Sequence, residues 1–256
     1  MNSGVSSYDH VDHAGNAGDV WKHFILTEVA ESLLLERREL VYAESHVGRP
    51  EYPLEGGWEW RGGIGRCWEH LPLLLEYSYF RILREMNPRS LRCYPGSAQL
   101  VLKAAEGRAC DLKAEIWDVD PAVELAWRGW PRVQIHLGDG FSGLRSLLDR
   151  SPPGLLLIDP PYVHPGDLRL AGALFAQAER AGWIALWWQM MEDEQMIEGD
   201  GFRKESYESF HLQFSMAKMD GGRWTGARIA FAGADDSLLL RLRSRAEGLL
   251  EVLKLT

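Results

Sequence analysis

The sequence predicts a doubly wound α/β fold: a mostly parallel, seven-stranded sheet that ends in an antiparallel hairpin and carries a small helical insertion. Three observations lead to it. Five apolar, strand-length segments are separated by stretches long enough for helical crossovers, which parallel neighbours require. Two further segments are joined by a short connection containing Gly221-Gly222, which suits a hairpin. The run Leu155-Leu156-Leu157-Ile158 is apolar at every position, as in a strand covered on both faces, and it stops at Asp159-Pro160-Pro161-Tyr162 because neither proline can donate a ladder hydrogen bond.

In chain order, a helix is expected over residues 18–38, where Phe24, Ile25, Val29, Leu33 and Leu34 repeat at helical spacing. Asn16 or Asp19 is placed to cap it. The first strand is read at 40–46. About 65 residues then precede the second strand, far more than an ordinary crossover needs. Residues 51–94 are therefore taken as a helical insertion within one domain covering 1–256, with an amphipathic helix at 71–86. A further helix is expected at 96–106. The remaining strands are read at 113–119, 133–138, 154–158, 183–188, 211–218 and 227–232.

The hydrophobic fraction of 46% and charged fraction of 25% are those of an ordinary globular chain, so one core is expected. No apolar stretch approaches the roughly 18 residues of a membrane span, and no membrane partner is expected. The first residues lack the charged-then-apolar form of a signal peptide. Cys67, Cys93 and Cys110 form no CxxC pair, which points to a reducing, cytoplasmic setting and away from a zinc ribbon. A net charge of −9 argues against indiscriminate nucleic-acid binding. Arg81, Arg84, Arg89 and Arg92 form the best candidate basic cluster, readable also as a solvated helix face and loop.

Open α/β sheets bind ligands at the carboxyl ends of their strands. Asp159 stands at such an end, either as a reacting acid or as a turn and cap residue. Tyr162 offers a ring for stacking or a plug for the top of the sheet. Asp118 ends the second strand, where an acid can receive ribose hydroxyls; Asp120 is its neighbour, and both are readable as turn acids. Asp139-Gly140 follows the third strand and is also readable as an ordinary Asp-Gly turn. His46 ends the first strand. Ser97 is placed to cap the helix that begins beside it. His10, Asp12 and His13 do not form a recognised metal-ligand set, and no metal is expected.

Two blocks carry a family signature: His13-Ala14-Gly15-Asn16-Ala17-Gly18-Asp19-Val20-Trp21-Lys22-His23 and Tyr94-Pro95-Gly96-Ser97. With Asp139-Gly140-Phe141 and Asp159-Pro160-Pro161-Tyr162 in order behind them, the chain resembles the J-type adenine-N6 methyltransferases of 23S ribosomal RNA, earlier described as proteins for external DNA catabolism. The resemblance spans roughly residues 8–162. It departs at the turn after the first strand. The family's His-Ala-Gly-Ala-Gly-Arg-Tyr is here His46-Val47-Gly48-Arg49-Pro50-Glu51-Tyr52, with one glycine fewer.

The resemblance implies a class I, Rossmann-like methyltransferase fold and S-adenosylmethionine as cofactor. It implies cofactor contacts from Lys22, His23, His46, Ser97, Asp118, Asp139, Gly140 and Asp159. It implies a catalytic set of Asp159, Pro160 and Tyr162, with Tyr8, His10 and Tyr162 touching the substrate base. An exocyclic amine is a poor nucleophile because its lone pair is delocalised. The Asp159 carboxylate and the Pro160 carbonyl would each accept one N–H and favour a pyramidal nitrogen, with Asp159 as the proton acceptor. Ribosomal RNA is the implied partner, with a monomer or weak dimer as the working assembly. Two other readings stand beside this one. A metal-dependent nuclease would use His10, Asp12, His13 and Asp159. A catalytically silent binding relative would explain the altered turn.

Overall fold

The computed structural model describes residues 13–55, 58–191, 209–213 and 226–254. Helix α1 (Ala17–Glu36) opens the fold; the Asn16 side chain caps it by accepting from the Asp19 amide. The chain then runs through β1 (Glu39–Glu44), β2 (Glu51–Pro53), a short 3₁₀ turn (Glu59–Arg61), α2 (Ile64–Glu69), α3 (Leu71–Leu74), α4 (Ser78–Met86), β3 (Cys93–Pro95) and α5 (Ser97–Ala104). It continues through β4 (Asp111–Asp118), α6 (Pro121–Trp127), β5 (Val133–Leu137), α7 (Gly140–Leu148), β6 (Leu155–Ile158) and α8 (Asp167–Arg180). It ends with β7 (Ile184–Met191), β8 (Ser209–Gln213), β9 (Gly226–Ala232) and α9 (Asp236–Lys254).

Seven strands form one sheet in the order β5-β4-β1-β6-β7-β9-β8. The first five pair in parallel, and β9 runs antiparallel between β7 and β8. The expected doubly wound sheet with its final hairpin is therefore present. From β1 the chain first builds outward through β4 and β5, then returns to lay β6 and β7 on the other side. The direction reverses between β1 and β6, which makes this the switch point beside which open α/β sheets bind ligands.

The cores explain the apolar runs. One face of the sheet is covered by α1, α4, α5, α6 and α9, the other by α7 and α8. All four residues of β6 are buried, as its unbroken apolar run requires. Helix α1 is buried around most of its circumference because it is wedged between the sheet and α4, α5 and α9. That burial takes in Asp19, Lys22 and His23 as well as the apolar residues.

Three expectations change. The helix read over 71–86 is two, because Tyr77 adopts an extended conformation between α3 and α4. Its ring packs edge-on against Phe24, 5.2 Å between centroids, and lies under the Arg245 guanidinium at 4.5 Å. No local breaker stands at that point; tertiary packing makes the bend. Second, the insertion also contains the β2–β3 ribbon, three residues a side with a proline in each strand, too short and too proline-bearing to read as strands. Third, the strand read at 211–218 is found at Ser209–Gln213, and residues 214–218 and the Gly221-Gly222 connection lie outside the described residues.

Candidate active site

The site is built where β1, β4, β5 and β6 end. After β6, Asp159 projects to meet Lys22 of α1, with Nζ 2.5 Å from Oδ2. The same ammonium lies 2.9 Å from Asp19 Oδ1. Burial alone would drive the Lys22 proton off, but Asp159 and Asp19 outweigh it and hold the pKa above the ordinary lysine range. Lys22 is thus a fixed cation shared by two carboxylates. Its Nζ also lies 5.8 Å from the Trp188 ring, and Gly18, one turn earlier, passes close over that indole. Asp159 caps no helix: α8 begins at Asp167, with Gly166 before it.

Tyr162 is held in the left-handed region at φ 54°, a strained backbone for a tyrosine. Its hydroxyl secures it, donating to the Trp188 carbonyl and accepting from Trp187 Nε1 at 2.9 Å. The phenol is held well above its ordinary pKa, chiefly by burial and next by the Asp159 charge. The ring is therefore fixed at the end of the ledge.

At the end of β1 the turn is bolted down by four hydrogen bonds. Gly48 has φ +63°, and its N–H donates to Asp118 Oδ2 at 3.0 Å. The Gly48 carbonyl accepts from Trp127 Nε1 at 2.8 Å. The Arg49 N–H donates to the Tyr52 hydroxyl at 2.8 Å, and the Pro50 carbonyl accepts from the Gly96 N–H at 2.7 Å. Pro50 thus supplies the acceptor that joins this turn to the start of α5, and a single left-handed glycine suffices. Asp118 also accepts from the Asp120 N–H at 2.9 Å, while Asp120 itself caps α6.

His46 sits beside this turn, its ring 4.9 Å from that of Phe141 and its Nδ1 2.8 Å from Ser45 Oγ. Burial pushes its pKa down, against an upward pull from Asp159, Asp118, Asp167 and Asp139. Gly140 lies so close to the β1 turn that a Cβ there would come within 1.9 Å of the Ser45 carbonyl oxygen. Asp139 caps α7, accepting from the Phe141 amide at 3.1 Å and from Ser142 Oγ at 2.6 Å. Those bonds outweigh its partial burial and hold its pKa below the usual carboxylate range.

Several residues sit differently from expectation. Ser97 is the first residue of α5 rather than its cap, a place held by Gly96. Its hydroxyl donates instead to Glu44 Oε1 at 2.5 Å. His23 is buried, with Nδ1 3.0 Å from Tyr94 Oη and its ring stacked on that tyrosine. It meets Tyr94, which stands three residues before Ser97. Tyr8 and His10 lie outside the described residues. Of the nuclease set, Asp12 lies outside them too, His13 Nδ1 is 2.9 Å from Glu59, and Asp159 is taken up by Lys22. Among the described residues, no three His, Cys, Asp or Glu side chains gather as a metal site. In the basic cluster, Arg81 and Arg84 donate to carbonyls of neighbouring turns and Arg92 to Ser90.

Sequence reasoning missed Glu44. It ends β1 fully buried, accepting from Tyr42 Oη at 2.6 Å as well as from Ser97. Burial, the largest influence, pushes its pKa up to about 8 against those two hydrogen bonds. An acid closing an otherwise apolar parallel strand, two residues before His46, is the signal that could have found it.

Comparison with known proteins gives the family. A family model described as RsmJ, "Ribosomal RNA large subunit methyltransferase D, RlmJ", matches residues 37–199. The chain belongs to this family. The ribosomal RNA large subunit methyltransferase J of Escherichia coli is 31% identical over 223 residues, covering 77% of each chain. The namesake of Haemophilus influenzae is 29% identical over 220 residues with the same coverage. The fold is also that of a Legionella pneumophila protein of the DUF519 family, whose crystal structure matches with a TM-score of 0.76 at 23% identity over 93% of this chain and 94% of that one. The family match includes the β1 turn and the Asp159 ledge, and the curated relatives give the activity class: the chain is a member of a methyltransferase family.

Proposed function

We propose that the protein transfers a methyl group from S-adenosylmethionine to the exocyclic N6 amine of an adenine in large-subunit ribosomal RNA. The observation that carries this is the Asp159–Lys22 pair at the switch point, beside a turn built for close approach. The donor set suits the cofactor. Each Asp118 oxygen takes one backbone N–H and keeps a lone pair for a ribose hydroxyl. Asp139 is exposed beside Gly140 and can accept an adenine amine. The wall formed by His46, Glu44 and Ser97 is polar where the methionine end belongs. When bound, the cofactor supplies an electrophilic methyl group.

The chain's own residues then do the positioning. Asp159 and the Pro160 carbonyl accept the two N–H bonds of the incoming amine and aim its lone pair. Lys22 orients the Asp159 carboxylate, which accepts the hydrogen bond that shapes the nucleophile and takes the N6 proton released as the N–C bond forms. The Tyr162 ring, locked by Trp187 and Trp188, stacks on the base once it is flipped out. His23 supports Tyr94 and the start of α5. In this reading Tyr8 and His10 are the further contacts to the substrate base that the family resemblance implies.

Calorimetric titration with S-adenosylmethionine and S-adenosylhomocysteine tests it. Binding of both is expected. Asp159→Ala should leave that binding largely intact and stop methyl transfer. Failure to bind either ligand at millimolar concentration would overturn the proposal.

A further inference from the structure

Arg228 stands on β9 opposite Gln189 of β7. Its Nε lies 2.6 Å from Gln189 Oε1, and its Nη2 donates to the same oxygen. The residue is half-buried, yet no carboxylate pairs with it among the described residues; one neutral amide oxygen takes two of its five N–H donors. In an acidic protein, arginines this sheltered ordinarily find an acid. Burial depresses its pKa.

Its place in the sheet gives the meaning. Trp187 pairs with Ala230 and Gln189 with Arg228, so Trp187, Gln189 and Arg228 share one sheet face. Trp187 on that face holds the Tyr162 hydroxyl. Arg228 is the next row along, roughly 7 Å nearer the C-terminal end of β7, where the ledge residues project. The cofactor residues proposed above end β1, β4 and β5, on one side of β6. Arg228 lies on the other side, two strands beyond β6, or about 10 Å. That span is comparable with the reach of a nucleotide from its base amine to its own phosphate.

We propose that Arg228 is a phosphate anchor for the substrate strand, binding a phosphodiester flanking the target adenosine while Asp159 and Tyr162 hold the base. Gln189 holds the guanidinium in place without neutralising it, and three of its N–H donors have no partner among the described residues and face the anion in this proposal. The proposal rests on RNA being the substrate, and it names the protein group that reads the backbone beside the reacting base.

The test uses full-length protein and unmodified large-subunit ribosomal RNA fragments transcribed in vitro. Methyl transfer by the wild type comes first; if none occurs on any fragment, the substrate reading fails rather than the anchor. On the shortest active fragment, Arg228→Gln should weaken RNA binding about tenfold and reduce the slope of log K against log salt by about 1. The kcat at saturating RNA and the S-adenosylmethionine affinity should stay within threefold. Arg228→Lys should keep the salt slope. Single methylphosphonate linkages placed on either side of the target adenosine give an independent arm. One of them should weaken wild-type binding about as much as Arg228→Gln does, and should not weaken Arg228→Gln further. Unchanged RNA binding and salt slope in Arg228→Gln, or wild-type binding indifferent to each neutral linkage, would overturn the anchor. If Arg228→Gln does not fold, the linkage scan on the wild type decides.

Discussion

Replacing Glu44 with glutamine should flatten part of the protein's pH–stability profile. Glu44 is sealed at the end of β1 by Tyr42 and Ser97, and burial raises its pKa from an ordinary 4.5 to about 8. The sign follows from linkage. Between these two values the unfolded chain has released the proton and the folded chain still holds it, so stability falls as pH rises. The contribution is fully present below pH 4.5 and is lost as pH passes through about 8. At about 1.4 kcal/mol for each tenfold change in proton affinity, this gap caps the loss at about 5 kcal/mol. Glutamine keeps the shape and does not titrate. Urea denaturation of both proteins at pH 5, 7 and 8.5 measures the difference. The variant should gain on the wild type by at least about 2 kcal/mol across that range, in the direction of rising pH. Buried Glu28 also titrates high, but it is common to both proteins and cancels. Parallel profiles would mean that Glu44 ionises normally, and the sealed site at the end of β1 would have to be abandoned.

Lys22→Met removes the cation shared by Asp19 and Asp159. Breaking such a buried pair costs about 3–5 kcal/mol, with the lower end expected because Asp159 is partly wet, and methyl transfer should fall by roughly 10²-fold. Equilibrium denaturation and a radiolabelled methyl-transfer assay check these in turn; an active, undiminished variant would remove Lys22 from the mechanism. Gly140→Ala drives a methyl group into the Ser45 carbonyl, and a loss of about 1–3 kcal/mol with weakened S-adenosylmethionine binding is expected by calorimetry. Tyr162→Phe leaves the Trp188 carbonyl and the Trp187 indole N–H without their partner, for a stability loss of about 1–3 kcal/mol, while the retained ring keeps the RNA KM within a few-fold. Tyr162→Ala should raise that KM about tenfold or more through lost stacking.

The sheet was legible because its signal is local: β6 is apolar at every position and stops at two prolines, and α1 shows its helical period. The α3–α4 break was not, because nothing in the sequence from Leu75 to Tyr77 interrupts a helix; Phe24 and Arg245, distant in the chain, pull Tyr77 inward. The same contrast holds at the site. Asp159, His46, Asp118 and Asp139 stand at strand ends, and their positions follow from the strands alone. That Ser97 serves Glu44, and that Lys22 reaches Asp159 across 137 residues of chain, depends on how α1 and α5 lie on the sheet. The β1 turn makes the point most fully. From sequence it is a family turn short of a glycine. In three dimensions the missing flexibility is unnecessary, because Asp118, Trp127, Tyr52 and Gly96 hold the backbone in place.

The central claim is that Asp159 prepares an adenine amine for a methyl group carried beside it. Nucleoside mass spectrometry tests it most directly, on unmodified large-subunit ribosomal RNA incubated with S-adenosylmethionine and either the wild type or Asp159→Asn. The account predicts N6-methyladenosine at a single position with the wild type and none with the variant, both proteins binding the cofactor alike. Methylation at another atom, or an Asp159→Asn protein that forms N6-methyladenosine at the wild-type rate, would contradict it.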